Sequence, residues 1–495
     1  MGRKEKCLYK RVSIEHKSII DVREIGYYAT PAFVARYIGR RMWEINSKGK
    51  TLLDPCCGKE ELTSYFNDLG VKTLGMDLIR YKEHYSCEFK KKDFISYYCT
   101  HKNTKEWEYD YYIANPPYNC HEVDFIKKNK EYLKGFFQEV GVHNMYSMFI
   151  YAIIDKAKEG AIIGLITHDS FFSAKNHKSL RKKIIDECSI EEITMCPREL
   201  FHNQGADVRT SIVILRKGKK YQKKVIVNNR AKSMCEFREL LKKNLEGEYS
   251  ENLYGIDEII LNGKKDNLEF LIECPKDIRR LFNNIRLGEC FKCVTGISTG
   301  NDKKYLSKNK EGVFNIPFYK NPGKDKFYTE RVIYLHEDFL NIEKNVENFN
   351  VRNKKLLYKP GLTCSSIGIE FAACILPKGA TFGVNPNIIC ETEDMWWLLA
   401  YLNSSLVTYM VRGALIRSNM ITSGYVSRIP LLDFKDKEKE ELRVLAQKAY
   451  KNRRANLTIA YELSCIDNIV SHAAKISKDS EEFILTFKKN LVHAT

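Results

Sequence analysis

Between Thr51 and about Arg216, short apolar runs alternate with stretches of helical spacing. The runs are TLLD (51–54), VKTLGMD (71–77), YDYYIAN (109–115), GAIIGLIT (160–167) and TSIVILRK (210–217), and KEELTSYFNDLG (59–70) is a helical stretch between the first two. This alternation predicts an α/β domain on a mostly parallel sheet. In such sheets ligands bind beyond the carboxyl ends of the strands, so the residues that close the apolar runs matter most: Asp54, Asp77, Asp93 and Asn115. From about Gly218 to Asn284 the chain turns lysine-rich and polar. Beyond Ile285, stretches such as TGISTGND and YKNPGKDK predict a second domain of short strands and long loops. MWWLLAYLNSSLVTYMV (395–411) has apolar residues at helical spacing and reads as core. The last sixty or so residues have helical periodicity with charged faces.

Length and charge narrow the picture. A chain of 495 residues can bury more than one core. Its 81 Lys plus Arg against 63 Asp plus Glu leave a formal charge of +18, which suits a polyanionic partner. No apolar run reaches the length of a membrane helix, and MGRKEKCLYKRVSIEHKS at the start lacks the apolar core of a signal peptide, so a cytoplasmic protein is expected. The 16 cysteines follow no spacing framework and are expected as reduced thiols. One CxxC, Cys290 with Cys293, has no second pair or nearby His to complete a zinc site, so no metal is expected.

The strand-end residues carry the candidate chemistry. In LLDPCCGKEEL (52–62), a strand, a turn and a helix start would let backbone N–H groups face a ligand while Asp54 accepts from an ammonium or hydroxyl. Asp77 ends the next run some twenty residues on, where an acid commonly binds both hydroxyls of a ribose. Asp93 would meet the exocyclic amine of an adenine beside the Phe94 ring. Each acid alone could be a solvated strand-end carboxylate; together they describe a nucleoside pocket.

Asn115-Pro116-Pro117-Tyr118 completes the set. Two prolines make a stiff turn whose carbonyls point away from the ladder. The Asn115 amide oxygen and the Pro116 carbonyl can then accept from one amine, and Tyr118 can stack on the flat ring that bears it.

These residues resemble the γ-type amino-methyltransferases, restriction-modification enzymes that methylate N6 of adenine in DNA and carry NPPY as their catalytic motif. YYATP (27–31) resembles their threonine-proline motif and LLDPCCG their first cofactor motif. RELFHNQGADVRTSIVILRKG (198–218) resembles the segment whose aromatic residue, here Phe201, stacks on the other face of the flipped base. TGISTGND, FGVNPN (382–387), LLAYLNSSL (398–406) and GYVSRIP (424–430) look like the recognition domain of single-chain restriction-modification enzymes.

The resemblance implies a Rossmann-like S-adenosylmethionine-dependent domain with a mostly parallel seven-stranded sheet at 1–225 and a connecting segment at 226–285. A mixed α+β target-recognition domain at 286–435 and a helical segment at 436–495 follow. Asn115, Pro116, Pro117 and Tyr118 become the catalytic residues. Tyr28, Thr30, Pro31, Asp54, Pro55, Cys56, Gly58, Asp77, Asp93 and Phe94 become the cofactor contacts, and Tyr118 with Phe201 would hold the flipped base. S-adenosylmethionine is the implied cofactor and double-stranded DNA the implied partner. The expected role is a stand-alone modification enzyme, with a separate restriction endonuclease subunit or an orphan role both open. Lys354, Lys355, Lys359, Arg412 and Arg417 are candidate DNA contacts.

One departure stands out. The family carries a second glycine two places after Gly58, and this chain has Lys59 and Glu60 there. A carboxylate at a helix start, as Glu60 is expected to be, would repel the carboxylate of the cofactor. Two other activities remain open on these residues: methylation of cytosine N4 by similar chemistry, and DNA binding by a degenerate fold without turnover.

Overall fold

The computed structural model describes residues 28–493 except 105–106, 119–123, 205–207, 368–369 and 417–419, together with a short strand pair, Val12–Ser13 and Ile19–Ile20. Arg417, a candidate DNA contact, and Tyr27 of YYATP lie outside the described residues. The chain divides into two compact units, Met1–Asn262 with Asn267–Glu273, and Gly263–Asp266 with Cys274–Thr495.

The first unit is built on one sheet. Its strands are β1 Thr51–Asp54, β2 Lys72–Asp77, β3 Glu88–Lys91, β4 Tyr111–Ala114, β5 Ile162–His168, β6 Cys188–Met195, β7 Thr210–Lys217, β8 Val225–Asn228 and β9 Leu253–Tyr254. Their spatial order is β3-β2-β1-β4-β5-β7-β6-β8-β9. β7 runs antiparallel to β5 and β6, β9 antiparallel to β8, and every other pair is parallel. The first seven strands form the Rossmann-like arrangement that the resemblance implies. The sheet is wider than the seven strands expected, because 225–254, within or beside the stretch read as a connection, adds β8 and β9.

Alternation along the strands splits the core into two layers. Leu53, Tyr112, Ala114, Ile163 and Leu165 face one side, while Leu52, Tyr111, Ile113, Ile162 and Ile166 face the other. Helices α3 Phe94–His101, α4 Asp124–Phe137, α5 Met145–Lys156 and α6 Lys178–Glu187 cover the first face. Helices α1 Ala32–Ile45, α2 Ser64–Asp68 and α7 Met234–Leu245 cover the second. Strands buried on both faces read as the near-continuous apolar runs from which they were predicted. The segment 267–273 belongs here because the buried Arg181 guanidinium donates to the Asn267 carbonyl at 2.8 Å and Phe270 N donates to the Phe172 carbonyl at 2.8 Å.

The second unit holds two four-stranded sheets. One is antiparallel, in the order Lys292–Val294, Asn387–Ile389, Gly361–Cys364, Ala373–Leu376; the other orders Leu306–Ser307, Val332–His336, Phe314–Tyr319, Thr381–Phe382. Helices Thr392–Leu402, Asp436–Arg454, Ala460–Ala474 and Lys478–His493 belong to the same unit, and Leu398, Leu399, Val407 and Met410 of the apolar stretch 395–411 are fully buried. Asp266 is buried between Arg286 at 3.0 Å and Arg428 at 2.8 Å. Among the described residues no helix is long and apolar enough to cross a membrane.

Candidate active site

The carboxyl ends of β1, β2 and β4, neighbours in the sheet, bring Asp54, Asp77 and Asn115 to one edge. Asp54 is buried, and its Oδ1 accepts from Cys56 N at 3.0 Å. Its Oδ2 is also buried and has no hydrogen-bond partner among the described residues. Burial pushes this carboxyl well above its ordinary range, against the pull of the Cys56 N–H, and the charge of Asp77 adds to the rise. A buried carboxylate oxygen without a donor is costly, and a ligand ammonium would satisfy it. On that observation the turn fits the amino end of a cofactor of the expected kind.

Asp77 Oδ2 accepts from Gly58 N at 2.9 Å and its Oδ1 from Ile79 N at 3.2 Å, so the acid at the end of β2 also shapes the turn after β1. Gly58 has φ 52°, a conformation natural to glycine. Behind the turn, a Cβ on Gly75 would lie 2.8 Å from both Cys57 Sγ and Cys87 Sγ, which explains the glycine of LGMD: the two thiols pack onto it. Both are free, as are the other described cysteines. Asp93 caps α3, accepting from Ile95 N at 3.0 Å and from Ser96 Oγ at 2.5 Å. The Phe94 ring turns into the core, 4.9 Å from Phe149 and 5.8 Å from Trp107, because it occupies the first turn of α3.

Glu60 departs from expectation in its surroundings. It lies in a turn before α2 rather than at a helix start, with φ 69°, and its buried carboxylate accepts from Lys82 Nζ, Ser86 N and Cys87 N. A side chain engaged by those partners is not directed at a ligand carboxylate, so the repulsion expected from the sequence has no basis in this geometry.

At the NPPY turn, Asn115 Nδ2 donates to the Tyr28 carbonyl at 2.9 Å and to Thr30 Oγ1 at 3.2 Å. Those bonds fix the amide so that Oδ1 is its acceptor face. Here Oδ1 accepts from the Tyr118 hydroxyl at 2.6 Å. The Tyr118 ring stacks on Tyr28 at 6.0 Å, and Tyr28 lies 6.0 Å from Phe201. Burial pushes the Tyr118 phenol well above its ordinary value, so it stays a neutral donor. Tyr28, Thr30, Asn115, Tyr118 and Phe201 therefore form one cluster. Pro31 is the N-cap residue of α1, Pro116 is buried, and Pro55 and Cys56 form the turn after Asp54.

A residue that ties this cluster together escaped the sequence reading. Gln204 donates through Nε2 to the Ala29 carbonyl at 2.7 Å and accepts from Ala29 N at 2.7 Å, tying the segment of Thr30 to the 3-10 turn that carries Phe201. A glutamine three residues after an aromatic gives no sequence signal of such a tie. His168 lies 6.2 Å from the Tyr118 ring, edge to face, and 6.2 Å from Tyr146, stacked. Its Nδ1 accepts from Ser170 N at 3.0 Å, and burial holds its pKa below the ordinary value, so the ring is neutral at neutral pH. Behind it the Tyr146 hydroxyl bonds both Ser170 Oγ and His177 Nε2 at 2.8 Å, and burial lowers His177 to about 4. Among the described residues no group of His, Cys, Asp or Glu gathers as a metal site.

Sheet order and strand-end residues thus define a methyltransferase-type α/β domain. Residues 85–255 match the model of the family described as N-6 DNA Methylase. Among curated proteins it is similar to the type II methyltransferase M.PstI of Providencia stuartii, 33% identical over 88 residues, 17% of this chain and 16% of that one. It is also similar to the type I restriction enzyme MjaVII methylase subunit of Methanocaldococcus jannaschii, 26% identical over 172 residues, 32% of this chain and 29% of that one. The matched stretches thus span less than a third of either relative. Among solved structures the DrdV–DNA complex shares the fold, with a TM-score of 0.51 at 11% identity, covering 87% of this chain and 58% of that one.

Proposed function

We propose that the protein is a modification methyltransferase that moves a methyl group from S-adenosylmethionine to N6 of a flipped-out adenine in double-stranded DNA. The observation that carries this reading is the Asn115 amide, whose nitrogen is engaged by Tyr28 and Thr30 so that its oxygen is aimed as an acceptor from a rigid turn beside Asp54. Asp54 would hold the ammonium of the cofactor, Asp77 its ribose hydroxyls and Asp93 its adenine amine. Bound there, the cofactor supplies a methyl group on a sulfonium for direct in-line transfer to a nitrogen lone pair.

The adenine amine is a poor nucleophile because its lone pair is delocalised into the ring. Asn115 Oδ1 and the Pro116 carbonyl, accepting hydrogen bonds from its two N–H groups, favour a tetrahedral nitrogen and stabilise the positive charge that develops there. To do this Oδ1 must exchange the Tyr118 hydroxyl for the base. Flipping costs a few kcal/mol, and stacking on Tyr118 and Phe201 at about 1–3 kcal/mol per base offsets much of it. No step asks for a covalent enzyme intermediate. The second unit is the natural reader of duplex sequence in this scheme, and a separate endonuclease subunit is a compatible partner.

The test is transfer of tritium from labelled cofactor to duplex DNA, followed by digestion to nucleosides. N6-methyladenine is expected, and Asn115→Ala should lose about 100-fold or more in turnover, as for removal of one preorganised hydrogen-bond partner, while still binding cofactor. N4-methylcytosine would replace the assigned base, and unchanged turnover in Asn115→Ala would remove the assigned mechanism.

A further inference from the structure

Glu60 occupies the place where the γ-type pattern has a glycine, and it keeps the backbone conformation natural to glycine, φ 69°. A side chain in the left-handed region is strained, so it persists only where its surroundings hold it. The carboxylate supplies that hold. At 4% exposure it accepts from Lys82 Nζ at 2.5 Å, Ser86 N at 3.0 Å and Cys87 N at 2.8 Å. These bonds outweigh burial and keep its carboxyl below the usual range, hence charged.

All three partners lie in 78–87, the segment that leaves β2 directly after Asp77. The same segment returns to the turn at a second point, where the Tyr85 hydroxyl donates to the Gly58 carbonyl at 3.0 Å and accepts from Tyr81 N at 2.9 Å. Gly58 N in turn donates to Asp77. Turn 55–60 and segment 78–87 are therefore bonded to each other at Gly58 and at Glu60, with Asp77 between them.

We infer that Glu60 is a positioning residue: its carboxylate locks segment 78–87 onto the turn after β1 and so sets the affinity of the site for the cofactor. In this chain a brace stands where the related pattern has a glycine. This inference rests on the function proposed above.

Calorimetric titration of the full-length protein with S-adenosylhomocysteine tests it, with hydrogen exchange of the ligand-free protein over 78–87 as a second readout. Glu60→Gly relieves the backbone strain and removes the brace; Glu60→Gln keeps the shape and removes the charge. Both should weaken binding at least about tenfold, the low end of what supporting hydrogen bonds contribute behind metal sites, and should speed exchange in 78–87. Lys82→Met, which leaves both backbone donors, should weaken binding less. In turnover, KM for the cofactor should rise while KM for DNA stays unchanged, a split that a general loss of fold would not produce. Glu60→Gly binding as tightly as wild type, or tighter, overturns the inference while the proposed function stands. Failure of the wild-type protein to bind removes the proposed function, and the inference with it.

Discussion

At the residue scale the most informative atom is Asp54 Oδ2, buried and without a hydrogen-bond partner among the described residues. An acid whose folded pKa is raised is disfavoured in its charged form by the fold. Its penalty is absent below the unfolded value of about 3.9, grows as pH rises, and is complete above the raised folded value. Asp54→Asn should therefore gain stability relative to wild type as pH climbs out of the acid range. Glu60, Asp110 and Asp277, held below their ordinary values, slope the other way, so the difference in Tm between variant and wild type is the quantity to follow. A ligand ammonium reverses the sign for binding, because it favours the carboxylate. Affinity for S-adenosylhomocysteine should rise with pH through the raised value in wild type, and Asp54→Asn should bind weakly with a flatter profile. A variant with the wild-type slope would separate Asp54 from the cofactor.

Elements decide what a sequence can reveal about such a site. The NPPY turn was legible because Pro116 and Pro117 act on the backbone locally, whatever lies around them. Asp54 and Asp77 were legible because both end buried parallel strands, whose apolar runs mark their own limits. The conformation of Glu60 was not legible, since it depends on Lys82, Ser86 and Cys87, whose positions follow from how β2 and β3 are joined. The orientation of Phe94 was not legible for a similar reason: Asp93 caps a helix, and the following residue then turns inward. Strands β8 and β9 were hidden in polar text because each is short, and β9 lies at the sheet edge. The Gln204 tie is likewise a contact between elements, across 175 positions of sequence. Gln204→Ala should release Ala29 and leave Phe201 and Asn115 less well fixed. With 2-aminopurine at the target position, its complex should show weaker base capture, with turnover about 10-fold down for a loss of alignment that is partial rather than complete. Cofactor affinity falling as much as base capture would place the tie in the cofactor site instead.

The scale of the whole molecule brings in charge. If the chain binds duplex DNA as proposed, its excess of +18 makes that binding an electrostatic problem first, with an apparent slope of about −0.9 per phosphate neutralised in a plot of log K against log salt. Not every candidate lysine is equally available. Lys354 pairs with Glu343 at 2.5 Å and is locally neutralised, whereas Lys355 and Lys359 are exposed in the same stretch, and Lys359 lies just before the strand Gly361–Cys364. If both reach phosphates, Lys355→Ala with Lys359→Ala should lower the magnitude of the slope by about 2, one per contact, and weaken binding alike on cognate and non-cognate duplexes. Lys354→Ala should change the slope little, since the free protein already answers that charge with a carboxylate. Fluorescence anisotropy across a salt series measures all three. A double variant with the wild-type slope would show that this edge of the second unit does not follow the phosphates, and a loss confined to the cognate duplex would make the pair readers of bases instead.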